Sequence, residues 1–169
     1  MRLGGGSEIL ARTCGTDSKE EVSRCLLAGE AFDGLFNKRD YAAAEKFWSP
    51  QYIQHSAHIG PGREGLFDLI KNTPATLKWE HGIILAQDDY VIVHSRYSGT
   101  GLPAAWMVID IVRIKDGILI EHWDVIQDEA QRNNQRVAIR CLELRFHLDE
   151  GSFLALSIFP RKWLRFFIS

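Results

Sequence analysis

The segment 104–127, AAWMVIDIVRIKDGILIEHWDVIQ, constrains the chain more than any other, because two runs rich in Val, Ile and Trp flank one Asp116-Gly117 turn signal. It reads as a β-hairpin, and a glycine after Asp116 supplies the positive φ that a tight turn needs. Loop length then decides which residues share a face. With Lys115-Asp116-Gly117 as a three-residue loop, Ile114 meets Ile118, and period-two alternation gathers Val108, Asp110, Val112, Ile114, Ile118, Ile120, His122, Asp124 and Ile126 on one face. This register sets Asp110 opposite His122, and Asp124 opposite Val108. A two-residue loop pairs Asp110 with Trp123, sends Asp124 to the other face from Asp110, and mixes charged and apolar side chains on both faces. The three-residue register is therefore the expectation.

Two carboxylates and an imidazole on an otherwise aliphatic face are costly unless they are paired or reach a cavity. This makes the hairpin the first place to look for chemistry. The competing reading is a self-satisfied His–Asp pair that only fixes strand register, or carboxylates that simply face water.

At 169 residues the chain is long enough for one domain with a substantial core. Its net charge of −2 indicates no broad surface for a polyanion. The charge is uneven: residues 131–169 hold seven Lys and Arg against three Asp and Glu, which leaves −6 for residues 1–130. Cys14, Cys25 and Cys141 are odd in number and lack CxxC spacing, so they specify neither a disulfide framework nor a zinc site. A reducing cytoplasm fits them best. The N-terminus has no apolar signal region and no run approaches a membrane span, so the expectation is a soluble, cytoplasmic protein without integral membrane association.

In chain order, residues 1–18 are rich in Gly, Ser and Thr and read as a flexible leader. A helix begins after Asp17 or Ser18 and carries the stripe Val22, Leu26, Ala28, Phe32, Leu35 and Phe36, stopping at Asn37–Asp40. A second short helix spans Tyr41–Trp48, and Ser49-Pro50 ends it. Tyr52-Ile53-Gln54-His55 is a short extended segment that delivers His55, and a third helix covers Arg63–Lys71. The remaining strands are Thr76–Leu85, with a bulge at His81-Gly82, then Tyr90–Ser98, Trp106–Ile114 and Ile118–Gln127. Helices first and an antiparallel meander afterwards is an α+β pattern, with the helices covering one face of a curved sheet.

The strings YIQH, YVIVHSRYSG, VIDIVRIKDG and above all IEHWDVIQ resemble the SnoaL-like polyketide cyclase branch of the NTF2-like superfamily, over residues 19–130. The resemblance implies a cone-like α+β fold, with N-terminal helices on a strongly bent, mostly antiparallel sheet around an apolar pocket. It also implies a homodimer through the outer sheet face. It places Asp124 where such cyclases carry their acid/base aspartate, and Asp110 where they carry a polar partner, often His. The Asp at 110 is a departure. A carboxylate in an apolar cup has its charged form disfavoured and can exchange protons with a carbon acid near neutral pH, and two carboxylates in one pocket push their pKa values apart.

The candidate catalytic residues are thus Asp124, Asp110 and His122. His55, His94, Trp106, Val108 and Val112 are the candidate pocket residues. Arg113, three residues from Asp110, faces outward, which disfavours an Arg-Asp-Asp epoxide-hydrolase arrangement. No HxH or HExxH spacing supports a metal, and no Gly-rich phosphate loop or aromatic-basic stripe supports a nucleotide cofactor or nucleic acid.

The expected function is a cofactor-independent acid/base enzyme on a small apolar carbonyl compound, working through an enolate by aldol cyclisation or isomerisation. The alternative is a non-catalytic small-molecule-binding or scaffold protein of the same fold. Residues 131–169, a basic and apolar extension, lie beyond the matched strings and read as an unselected appendage.

Overall fold

The computed structural model describes Cys14, Thr16 and residues 18–130; the rest of the leader and the 131–169 extension lie outside the described residues. Helix α1 (Lys19–Phe32) begins at Ser18, whose side chain caps Glu21 N–H, and Glu20 and Glu21 sit in its first turn, where the helix dipole favours acidic groups. It runs on into a π-helical turn, Asp33–Asn37. Asn37 clasps the backbone of Trp79 on both sides, accepting its N–H at 2.8 Å and donating to its carbonyl at 3.1 Å. Asp40 caps α2 (Tyr41–Phe47) through Ala43 N–H at 3.0 Å. Trp48, expected at the helix end, instead opens β1 (Trp48–Gln54), and α3 (Gly62–Asn72) follows.

The meander is β2 (Lys78–Gln87), β3 (Tyr90–Ser98), β4 (Trp106–Lys115) and β5 (Ile118–Asp128). The sheet order is β1-β5-β4-β3-β2, antiparallel throughout except where β1 joins β5 in parallel. The three helices lie on its inner face, and the irregularity of β2 falls between His81 and Ile84. The fold is α+β, as the sequence implies. The aromatic centre of the core is Phe32, Phe36, Trp48, Phe67, Trp79 and Tyr97, with Phe36 edge-on to Tyr97 at 5.0 Å between ring centres.

The hairpin departs from the expected register. Asp116 and Gly117 both have positive φ, +52° and +75°, the requirement of a two-residue type I′ turn, and Lys115 pairs with Ile118. A bulge at Ile120 then inserts one residue, so that Arg113 meets Glu121, Val112 meets His122 and Asp110 meets Asp124. His122 is therefore diagonal to Asp110, not opposite it. The bulge restores the parity that a plain two-residue loop would have broken. Asp110, His122 and Asp124 consequently share the inner face as expected, while Leu119 replaces Ile118 and Ile120 in the core.

Two further corrections concern the cysteines and the outer face. Cys14 and Cys25 are joined by a disulfide, both are buried, and Cys14 bridges to Ile84 on the β2 edge. Cys14 is thus held there. Disulfides belong to oxidising compartments, so this pair weighs against the reducing setting expected from an odd cysteine count. Leu119, which alternation from an inward Ile118 would send to the outer face, is fully buried because the two-residue turn pairs it with inward Ile114. No helix among the described residues is long and apolar enough to cross a membrane.

Since Ile120 is the residue in excess, deleting it leaves the pairs from Arg113–Glu121 onward opposite one another. Thermal unfolding followed by circular dichroism should stay cooperative in that variant. Deleting Ile111, from the regular part of β4, reverses the face of Asp110 relative to the turn and should abolish the transition.

Candidate active site

A cavity of about 120 Å³ lies between the inner sheet face and the helices. Its walls are mostly apolar: Phe32 and Phe36 from α1 and its π-turn, Leu66, Leu69 and Ile70 from α3, Trp106 and Val108 from β4, and Ile126 from β5. The polar groups are few and come mostly from strands, with Thr73 and Thr100 in connections. β1 gives Trp48 and Tyr52, β3 gives Tyr97, β4 gives Asp110, and β5 gives His122 and Asp124; His58 lies in the connection before α3.

Asp110 is 3 % exposed and His122 5 %. Their bond, His122 Nε2 to Asp110 Oδ1 at 3.1 Å, crosses the β4–β5 diagonal. The other Asp110 oxygen accepts from the Tyr97 hydroxyl at 3.2 Å. Burial, reinforced by the Asp110 charge, pushes the Tyr97 phenol well above its ordinary range, so it remains a donor.

On the far side of the ring, His122 Nδ1 lies 2.8 Å from Gln54 Oε1, which also accepts from Ser56 N–H at 2.9 Å. A backbone N–H can only donate, so that amide oxygen is the acceptor and Nδ1 must carry a proton. One proton then remains to be placed between Nε2 and Asp110. An imidazolium beside a carboxylate and a neutral imidazole beside a carboxylic acid both preserve the bond.

Asp124 is in a different position. It lines the cavity, is half-buried, and has no hydrogen-bond partner among the described residues. Directly opposite it sits Asp110, with a hydrogen-bond partner on each oxygen. Carboxylates facing each other across a ladder repel when both are charged. Of the two, Asp110 is partnered and Asp124 is not, among the described residues.

The structure brings together Asp110, His122, Asp124, Trp106 and Val108 around the cavity; Val112 is buried on the same face without lining it. It does not bring His55 or His94 there. His55 is on the outer face, stacked on Trp123 at 4.9 Å and bonded to Glu121 at 2.9 Å. His94 pairs with Ile109 on that same outer side, against Gly82. Both alternate away from buried neighbours, Tyr52 and Val93. Arg113 faces outward as expected and binds Glu121 through both Nε and Nη2. Those contacts, from His55 first and Arg113 next, hold the Glu121 carboxyl below its usual range despite the opposing effect of desolvation. Trp48, Tyr52, Gln54, His58 and Tyr97 were not singled out by sequence reasoning. For Tyr52 and Gln54 the signal was present, since they occupy the inward positions of YIQH.

Residues 29–122 match the SnoaL-like domain, and the chain belongs to that family. Among solved structures it is similar to a candidate polyketide cyclase from Bacillus cereus ATCC 10987, at 21 % identity and TM-score 0.56, covering 66 % of this chain and 79 % of that one. AclR of Streptomyces galilaeus, described as a candidate hydroxylase, is 26 % identical at TM-score 0.52, over 64 % of this chain and 81 % of that one. An NTF2-like protein of unknown function from Cytophaga hutchinsonii ATCC 33406 shares the fold at 12 % identity and TM-score 0.54, over 66 % of this chain and 95 % of that one. No curated protein matches the chain.

Removing one member of the buried pair strands the other. Asp110→Ala and His122→Ala should each destabilise the domain by about 3–5 kcal/mol in denaturant titrations. The double variant should cost clearly less than the sum, by about 0.5–3 kcal/mol. Strict additivity would show that the two side chains do not depend on each other.

Proposed function

We propose that the chain is a cofactor-independent acid/base enzyme of the SnoaL-like type, acting on a small apolar carbonyl compound through an enolate. The observation that carries this reading is Asp124, a half-buried carboxylate without a hydrogen-bond partner among the described residues, in the wall of an apolar cavity. A carboxylate placed there can reach the α-proton of a bound carbon acid that the cavity shields from solvent. Asp124 takes the proton. Asp110 and His122, already satisfied by each other and by Tyr97 and Gln54, hold the floor of the site and keep Asp110 from adding a free charge opposite Asp124.

The self-contained Asp110–His122 pair also favours the second reading, a small-molecule-binding protein in which these two residues only brace the sheet. The two readings separate at Asp124. Asp124→Asn preserves size and polarity but removes the base, so turnover of an accepted ketone should fall by about two to four orders of magnitude while the melting transition stays in place. Near-full activity in that variant would favour the binding protein.

We further propose that the outer face meets a second copy of the chain. Leu85, Ile92, Ile111 and Trp123 pair in sequence across four strands, and Ile109 and Val125 form the next row, with Val125 69 % exposed. An apolar ladder this wide is unusual on a monomer. Light scattering at micromolar concentration should give twice the chain mass, and Val125→Glu with Ile109→Lys should return it to the monomer value.

A further inference from the structure

The polar groups of the cavity divide by strand. β4 and β5 contribute the carboxylates of Asp110 and Asp124, whereas β1 contributes the Trp48 indole N–H, which has no acceptor among the described residues, and the Tyr52 hydroxyl. Trp48 is 1 % exposed, and its Nε1 has no hydrogen-bond partner among the described residues. Buried donors left in this state are rare in native proteins, so the position needs an acceptor. Tyr52, 4 % exposed and four residues further along β1, is beside it. Burial, joined by the charges of Asp110 and Asp124, pushes its hydroxyl far above the ordinary phenol range; the Trp48 N–H acts in the opposite direction, favouring the anion without closing a hydrogen bond.

The Tyr52 phenol therefore stays protonated, with an indole N–H turned toward its oxygen and its own O–H left to donate. Tyr97, the other phenol in the wall, is committed to Asp110. The cavity has a donor side and an acceptor side, and its ligand must match both.

We propose that the Tyr52 hydroxyl, backed by the Trp48 indole N–H, is the carbonyl subsite of the cavity, and that it takes ketones whose apolar body is about the size of one ring. The size follows from the cavity of about 120 Å³, close to the roughly 150 Å³ that accommodates benzene in an apolar protein cavity. The bonding follows from the donors: the carbonyl oxygen accepts from Tyr52, and the α-carbon is turned toward the carboxylate side.

The role of this subsite in turnover rests on the acid/base reading of Asp124. Asp124 removes the α-proton, the C–H electron pair becomes the enolate C=C bond as the C=O π pair moves to oxygen, and the Tyr52 O–H stabilises that oxygen. Return of the same proton to another carbon of the conjugated system completes an isomerisation with no external reductant or oxidant. Donors already aimed at the developing oxyanion stabilise it more than the ground-state carbonyl.

The test uses two probes of one shape, cyclohexanone labelled with ¹³C at the carbonyl and methylenecyclohexane, titrated into the full-length chain and read by NMR. The parent protein should bind the ketone at millimolar concentration or below, with its carbonyl resonance downfield of the value in alkane solvent. Tyr52→Phe should weaken ketone binding about tenfold and move the bound resonance back, while leaving methylenecyclohexane affinity unchanged. The same pattern should persist in the Asp124→Asn background, so loss of the acid/base reading would leave the subsite standing.

The proposal is overturned if Tyr52→Phe binds the ketone as tightly as the parent, or if neither probe binds. Should Tyr52→Phe not fold, the parent resonance decides alone: a bound carbonyl shift equal to that in alkane overturns the subsite, and a downfield shift supports it.

Discussion

The burial of Asp110 is the constraint on which the inner face depends. A carboxyl group 3 % exposed in an aromatic and aliphatic core is tolerable only with hydrogen-bond partners on its oxygens, and it has two, His122 and Tyr97. Each donor comes from a different strand, and His122 is itself held from β1 by Gln54. The requirement of one side chain thus fixes the relative placement of β1, β3, β4 and β5. It also explains why two carboxylates can stand opposite each other: Asp110 is held by its partners, and among the described residues Asp124 presents an unpartnered carboxylate to the cavity.

Much of this was legible in the sequence, but unevenly. The α+β order, the Ser18 cap, the bulge after His81 and the shared face of Asp110, His122 and Asp124 all follow from periodicity and turn chemistry. The pairing within the hairpin did not follow. A three-residue loop, and a two-residue loop followed by a bulge, give the same parity, so alternation identifies the face without identifying the opposite residue. His55 and His94 were misplaced because imidazoles attract attention as chemistry; the alternation around each, with Tyr52 and Val93 buried next door, places them outside. The Cys14–Cys25 bond could not be read from a spacing of eleven residues, since pairing depends on Cα atoms 6.1 Å apart in the folded chain.

The two faces of the hairpin carry different demands on alternate residues. Inward, β4 and β5 supply the carboxylates and the imidazole; outward, the same strands supply Ile109, Ile111, Trp123 and Val125 and, with His55 just after β1, the Arg113–Glu121–His55 cluster. The outer ion pairs are partly solvated and contribute little to stability individually. Their effect is to hold Trp123 and His55 stacked beside the apolar rows.

The parallel pairing of β1 with β5 has a consequence for the order in which the protein can come into being. Gln54 and His122 are 68 residues apart, and the parallel seam of the sheet joins the first and last strands of the described residues. A chain emerging from the ribosome can fold its helices and the β2–β3 hairpin early, but β1 waits for its neighbour until the final strand is synthesised. Until then Trp48 and Tyr52 have no opposite wall. The pocket is therefore completed by β5, through a pairing of segments far apart in sequence.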